Sequence, residues 1–223
     1  MSDLLYEVTD HVGVITLNRP DAMNSLTYQL YADLEDTVRT SEARVLVITG
    51  SGRAFCAGDD MKQILGSSEP APAQFRDRAK KTGGLTPAAD ALLHTDIPVI
   101  AAINGPAVGW GMELALMADI RVASEFAKFG ELFVLRGLCC DAPGLGRLAQ
   151  LVGRETAAEL LFTGDVIDAH QAKKLGLVGR TVPHEALLPT ATEIAYKIAR
   201  NPPLAVQALK ACLLYTSDAA DEV

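Results

Sequence analysis

The stretch VIAAINGPAVGWGMELALMADIRVA, Val99 to Ala123, decides the fold class. Val99–Ile103 is a short unbroken apolar run, which suits a parallel strand buried on both faces. Asn104-Gly-Pro106 is a turn, Gly109–Ala118 reads as a helix, and Ile120–Ala123 reads as the next strand. Upstream, Arg44–Thr49 (RVLVIT) repeats the buried-strand signal and turns at Gly50-Ser-Gly-Arg53. Asp59 and Asp60 are N-cap candidates for a short helix reaching Leu65. Gly66–Pro72 is a loop, and Ala73–His94 is helical with a break near Gly83-Gly84. Strands alternating with helices argue for α/β layering.

The flanks agree. Leu4–Thr9 and Val12–Leu17 read as a hairpin around Asp10-His11, and Asn18-Arg-Pro-Asp21 ends the second strand. Leu30, Tyr31, Leu34 and Val38 give Thr27–Thr40 near-helical spacing. Later segments are mostly helical: Gly144–Leu151, Arg154–Phe162, Ala169–Leu175 and Glu185–Arg200, with one strand at Leu177–Val182. No internal repeat or low-complexity block is visible.

The 223 residues suit one domain with at most a small appendage. A net charge of −8 gives no global attraction for nucleic acid or an anionic membrane. Aromatic residues make up only 5%, which argues against a base-stacking platform. The N-terminus lacks a signal-peptide pattern, and no apolar run suits a membrane span. Cys56, Cys139, Cys140 and Cys212 form no C-x-x-C pair, so neither a disulfide framework nor a zinc site is indicated, and a reducing, cytoplasmic compartment is expected. His11, His94, His170 and His184 lack metal-ligand spacing, and neither a P-loop nor a G-x-S-x-G elbow occurs. Gly109-Trp-Gly111 opens like a dinucleotide fingerprint, but Leu114 stands where the third glycine belongs.

Two glycine-rich junctions carry the chemistry: RAFCAGDDMK, Arg53 to Lys62, and INGPAVGWGME, Ile103 to Glu113. Each follows a buried strand and opens a helix, whose first N–H groups have no internal acceptor. Two such groups aimed at one point make an oxyanion hole. Here the sequence resembles the crotonase family, also called the enoyl-CoA hydratase/isomerase family. The likeness runs from about Tyr6 to Ala211. It adds Asn18-Arg-Pro-Asp-Ala-Met-Asn-Ser-Leu26, Ala118-Asp-Ile-Arg-Val-Ala-Ser124, Phe129-Gly130, Phe162-Thr-Gly-Asp165, and Ala172 with Gly176-Leu-Val178, all in the family's order.

The resemblance implies an α/β fold of stacked ββα units in a spiral, with a helical C-terminal region, assembled as trimers or hexamers. It implies an acyl-CoA thioester substrate and no separate cofactor or metal, since CoA enters as part of the substrate. The oxyanion donors fall on the N–H groups of Asp59 and Trp110, where small or apolar residues are commoner. Trp110 either narrows the acyl pocket or packs as core, and Asp59 and Asp60 also read as plain N-caps. Ala22, Asn24, Ser25, Ala57, Asp60, Met61, Lys62, Gly109 and Phe133 fall on substrate- and CoA-binding positions. Lys62 could meet a phosphate; Arg19 is the nearest replacement for a basic residue absent at Asp21.

Glu113 aligns with one of two hydratase glutamates. The other position falls on Phe133, which cannot hold water. Glu131, two residues earlier, would be displaced by about 6–7 Å in an extended segment, a poor substitute. Asp141 stands where family members that isomerise dienoyl-CoA, or displace halide from aroyl-CoA, carry an Asp; it also reads as a loop aspartate capping a helix. Glu113 with Asp141 favours double-bond isomerisation. Hydration of a 2-enoyl-CoA by Glu113 with Glu131 or Asp141, and non-catalytic acyl-CoA binding, are the alternatives. The sequence divides into a ββα core (1–183), the start of a C-terminal helical region (184–211) and a tail (212–223). That tail reads as a translated sequencing-adapter string, which would leave the C-terminal region partly missing.

Overall fold

A computed structural model describes residues 2–66, 69–140 and 144–218. In chain order the elements are β1 (Leu4–Thr9), β2 (Val12–Leu17), α1 (Tyr28–Thr40), β3 (Val45–Gly50), α2 (Ala73–Lys81), α3 (Pro87–His94), β4 (Val99–Ile103), β5 (Pro106–Val108), α4 (Trp110–Met117), β6 (Ile120–Ser124), β7 (Lys128–Gly130), α5 (Gly144–Val152), α6 (Arg154–Thr163), β8 (Ile167–Asp168), α7 (Ala169–Lys174), β9 (Arg180–Val182), α8 (Leu187–Ala199) and α9 (Pro203–Asp218). The main sheet runs β1-β2-β3-β4-β6-β9. The β1–β2 hairpin is antiparallel and every later pairing is parallel.

A second, small sheet (β5-β7-β8) was not legible in the sequence. Its strands are two or three residues long, too short for any periodicity. Cys56 extends it by one parallel bridge to Ala107. A repeat then emerges. β3, β4 and β6 each run on into one position of the second sheet (Cys56, β5 and β7), and a helical segment follows each time. This is the expected stack of ββα units.

The buried strands divide their side chains by the two-residue period of the pleat. Leu46, Ile48, Val99, Ala101 and Ile103 join the larger core with α1, α3 and α4. Val45, Val47, Ile100 and Ala102 point the other way, against Leu187, Ala191, Ala195 and Ala199 of α8. That four-residue spacing of mostly small residues lets α8 lie close on the sheet. Each fully buried Leu, Ile or Val contributes about 1.5–3 kcal/mol.

The sequence boundaries shift in places. The helical region Ala73–His94 is two helices separated at residues 82–86, and the Leu177–Val182 strand shrinks to β9. The short helix after Asp60 is a single π-type turn, Met61–Leu65. α9 runs through Cys212 as far as Asp218. Among the described residues, no helix is long and apolar enough to cross a membrane.

Candidate active site

Two buried asparagines fix the first glycine junction. Asn24 adopts a left-handed φ of 56°. Its side-chain amide donates to the carbonyls of Ser51 (2.9 Å) and Ala54 (2.8 Å), and its Oδ1 accepts from Arg19 N (2.8 Å). Asn104 accepts from Gly50 N (3.1 Å) and donates to the carbonyls of Gly52 and Ala54, both at 3.0 Å. Two amides thus converge on the Ala54 carbonyl. Glycine is required at position 105, where a Cβ would lie 2.0 Å from the Arg53 carbonyl oxygen.

Beyond that clamp the two junctions run side by side. Phe55 N and Cys56 N donate to the Pro106 carbonyl (3.0 and 3.1 Å), and Val108 N donates to the Cys56 carbonyl (3.1 Å). Leu26 N donates to the Gly58 carbonyl (2.8 Å) and Asp60 N to the Leu26 carbonyl (2.9 Å). In such a parallel ladder the intervening residue, Asp59, turns its own N–H to the opposite side. Trp110 opens α4, where no carbonyl four residues behind can accept its N–H. A Cβ on Gly58 would lie 3.1 Å from Trp110 N, so the two donor segments touch.

Asp59 and Trp110 line one pocket of about 90 Å³ together with Ala57, Met61, Gly109, Phe133, Leu132 and Arg136. Six of the positions singled out in the sequence therefore share one cavity. Of the two readings the sequence left open for Trp110, the structure shows core packing beside a pocket. It borders this pocket, yet it is 1% exposed and packs edge-on against Tyr31 at 4.7 Å between ring centroids. A wider hollow of about 350 Å³ lies along α1 and α2, away from the glycine turns.

The remaining CoA-side positions sit outside that pocket. Asn24 is spent on the clamp. Asp60 caps the following turn, accepting from Lys62 N (3.2 Å) and Gln63 N (3.3 Å). It also pairs with Arg19 Nη2 at 3.0 Å and meets Ser25 Oγ at 3.3 Å. Burial pushes the Asp60 carboxyl up, but Arg19 and the two backbone donors outweigh it and hold Asp60 below its ordinary range. Arg19 also reaches Asp3 (3.3 Å). Its guanidinium is thus shared between two carboxylates. Ala22 borders a separate surface hollow with Asp3, Asn18 and Asp21, and Lys62 is exposed.

Glu113 lies on α4 one turn beyond Trp110 and is fully buried. Gly144 N donates to its Oε2 at 2.7 Å. Glu131, which spacing made a poor substitute but left as one alternative partner of Glu113, stands beside Glu113. It is 2% exposed, with the Glu113 carboxyl as its neighbour. The displacement argument assumed an extended chain. The strand ends at Gly130, and the backbone curls through Leu132 and Phe133 into a 3-10 turn at Val134–Arg136. Burial, and then the neighbouring Glu113 carboxylate, push Glu131 up to about 9. Two carboxyls this close and this buried do not both ionise readily, so at neutral pH the pair retains a proton. Cys140 faces the same pair; burial and both glutamates raise its thiol above the usual range. Asp141 lies outside the described residues.

Among the described residues there is no cluster of His, Cys, Asp and Glu suited to a metal ion. The structure thus holds two glycine-rich turns that share a pocket with Asp59 and Trp110, and a buried carboxyl pair, Glu113 and Glu131. Comparison with known proteins agrees. The family model for enoyl-CoA hydratase/isomerase matches residues 7–222. The (E)-benzylidenesuccinyl-CoA hydratase of Thauera aromatica is 40% identical over 219 residues, which cover 95% of this chain and 82% of that one. The crystal structure of enoyl-CoA hydratase from Bacillus anthracis superposes with a TM-score of 0.85 at 35% identity, covering 99% of this chain and 88% of that one. A Thermobifida fusca structure in complex with CoA gives a TM-score of 0.85 at 31% identity, over 96% and 85% of the two chains. The fold is the crotonase fold. The chain belongs to the enoyl-CoA hydratase/isomerase family of acyl-CoA enzymes.

Proposed function

We propose that this protein adds water across the 2,3 double bond of a 2-enoyl-CoA. The observation that carries the reading is the buried Glu113–Glu131 pair, in which burial and the neighbouring carboxyl favour a retained proton. Hydration needs a base and an acid in one site, and two carboxyls with separated proton affinities supply both. The isomerisation reading rested on Phe133 replacing a carboxylate and on Asp141 as partner of Glu113. Glu131 beside Glu113 supports a second carboxyl for hydration without either.

In the proposed reaction Glu113 takes a proton from water as its oxygen bonds to C3. The electron pair of the double bond moves toward the thioester, and the N–H groups of Asp59 and Trp110 stabilise the enolate oxygen. Glu131 then gives its proton to C2. One water is consumed, Glu113 ends protonated and Glu131 ionised. A proton passing between the coupled carboxyls restores the starting state. Met61, Gly109 and Phe133 would wall the acyl group, while the CoA moiety would pass Ala22, Ser25, Asp60 and Lys62. Trimeric or hexameric assembly belongs to the same proposal; exposed Leu135, Phe162, Leu204 and Leu209 are the apolar surface it would cover.

Isomerisation is the second reading, favoured by Phe133 at the pocket wall, where an apolar ring excludes water. Product mass after incubation with 2-enoyl- and 3-enoyl-CoA in heavy water separates the two. Gain of one water from the 2-enoyl substrate supports hydration. Deuterium uptake with a shifted double bond and no gain of water supports isomerisation and overturns the hydratase reading.

A further inference from the structure

Tyr31 comes from α1, yet it touches both residues assigned as oxyanion donors. Its hydroxyl donates to Asp59 Oδ1 at 2.6 Å, and its ring meets the Trp110 indole edge-on at 4.7 Å. It is 2% exposed, so both contacts lie inside the protein. Asp59 poses a physical problem in its assigned role. Its N–H would stabilise a developing oxyanion while its own carboxylate repels that charge. A carboxylate a few ångströms from an enolate oxygen, in a partly dry site, opposes it far more strongly than in water.

We infer that Tyr31 is a positioning residue that keeps the Asp59 carboxylate turned toward α1 and wedges the Trp110 side chain, so that only the two backbone N–H groups face the thioester oxygen. This rests on the oxyanion assignment above. A phenol hydrogen bond to a carboxylate draws its charge toward the donor and fixes its rotamer. The Tyr31 ring, packed edge-on at 4.7 Å, restricts the orientation of the indole. Tyr31, Asp59 and Trp110 thus act as one set, in which the aromatic pair makes an acidic residue tolerable at the donor position.

The test uses acetoacetyl-CoA, whose enolate is a stable mimic of the charged intermediate, and follows its ionisation on the protein by ultraviolet absorbance against pH. The variants are Tyr31→Phe, Asp59→Asn and the double replacement. Freed from Tyr31, the Asp59 charge should weaken bound enolate about tenfold, moving ionisation up by about one pH unit. Asp59→Asn in the same background should restore it. Turnover of a 2-enoyl-CoA should follow, with kcat falling and KM little changed. If Tyr31 merely packs, Tyr31→Phe lowers the melting temperature and Asp59→Asn rescues nothing; that result overturns the inference. Unchanged enolate ionisation in Tyr31→Phe overturns it too, as does a wild-type protein that does not favour enolate at all. Enolate stabilisation without hydration would sink the hydratase reading and leave the role of Tyr31 standing.

Discussion

Gly144 donates its N–H to Glu113 Oε2 across 2.7 Å, and a Cβ at that glycine would lie 2.1 Å from the same oxygen. The start of α5 is therefore shaped around a carboxylate on α4. A charge-assisted hydrogen bond of this length fixes one oxygen of a carboxyl that neighbours Glu131 and Cys140.

Gly144→Ala should push the Glu113 carboxyl out of place. Overpacking of this kind costs about 1–3 kcal/mol of stability. The larger effect should fall on turnover, with kcat reduced at least about tenfold and the protein still folded. Steady-state kinetics with circular dichroism on the same preparation checks both parts.

Glu113→Gln keeps the shape and an acceptor for Gly144 N but removes the base. Loss of a positioned acid–base group typically costs about 10²–10⁴ in rate. Binding of CoA, read by calorimetry, should change little. An active Glu113→Gln protein would refute the assignment of Glu113 as base.

The protonation of Glu131 links pH to stability. The unfolded chain releases this proton near the ordinary value of 4.5, whereas the folded chain keeps it up to about 9. The stabilising contribution is therefore complete below about 4.5 and is lost as pH rises toward about 9. Melting temperature should fall over that window in the wild type, and more shallowly in Glu131→Gln. Parallel curves for the two proteins would show that Glu131 is not held neutral.

Asn24→Ala or Asn104→Ala should each strip one donor from the buried Ala54 carbonyl and loosen the junction before Cys56. A lost buried hydrogen bond costs about 1–3 kcal/mol. The double variant should exceed the sum of the singles, because either amide alone still partly satisfies Ala54. Chemical denaturation of the four proteins measures this directly.

What was legible in the sequence follows from range. The β3 and β4 runs and the glycine turns are local signals, and the structure keeps them. The pocket positions Ala57, Asp59, Met61, Gly109, Trp110 and Phe133 were reachable through the family resemblance that the glycine turns carry, and not from spacing alone. The second sheet was not, since its order depends on pairing between segments far apart in the chain. Glu131 read as a poor substitute because two-residue spacing assumes an extended strand, and the strand ends at Gly130. Tyr31 read as an ordinary helix-face residue. Its contact with Asp59 spans 28 residues and leaves no trace in spacing.

The central claim is that Glu113 and Glu131 are the base and acid of hydration. The most direct measurement is the pH dependence of kcat/KM for a short-chain 2-enoyl-CoA, in wild type and in Glu131→Gln. The account predicts a wild-type rate that falls as pH passes about 9, where Glu131 loses its proton. It also predicts a Glu131→Gln rate lower by about 10²–10⁴. A Glu131→Gln protein with the wild-type rate and the same profile would contradict it.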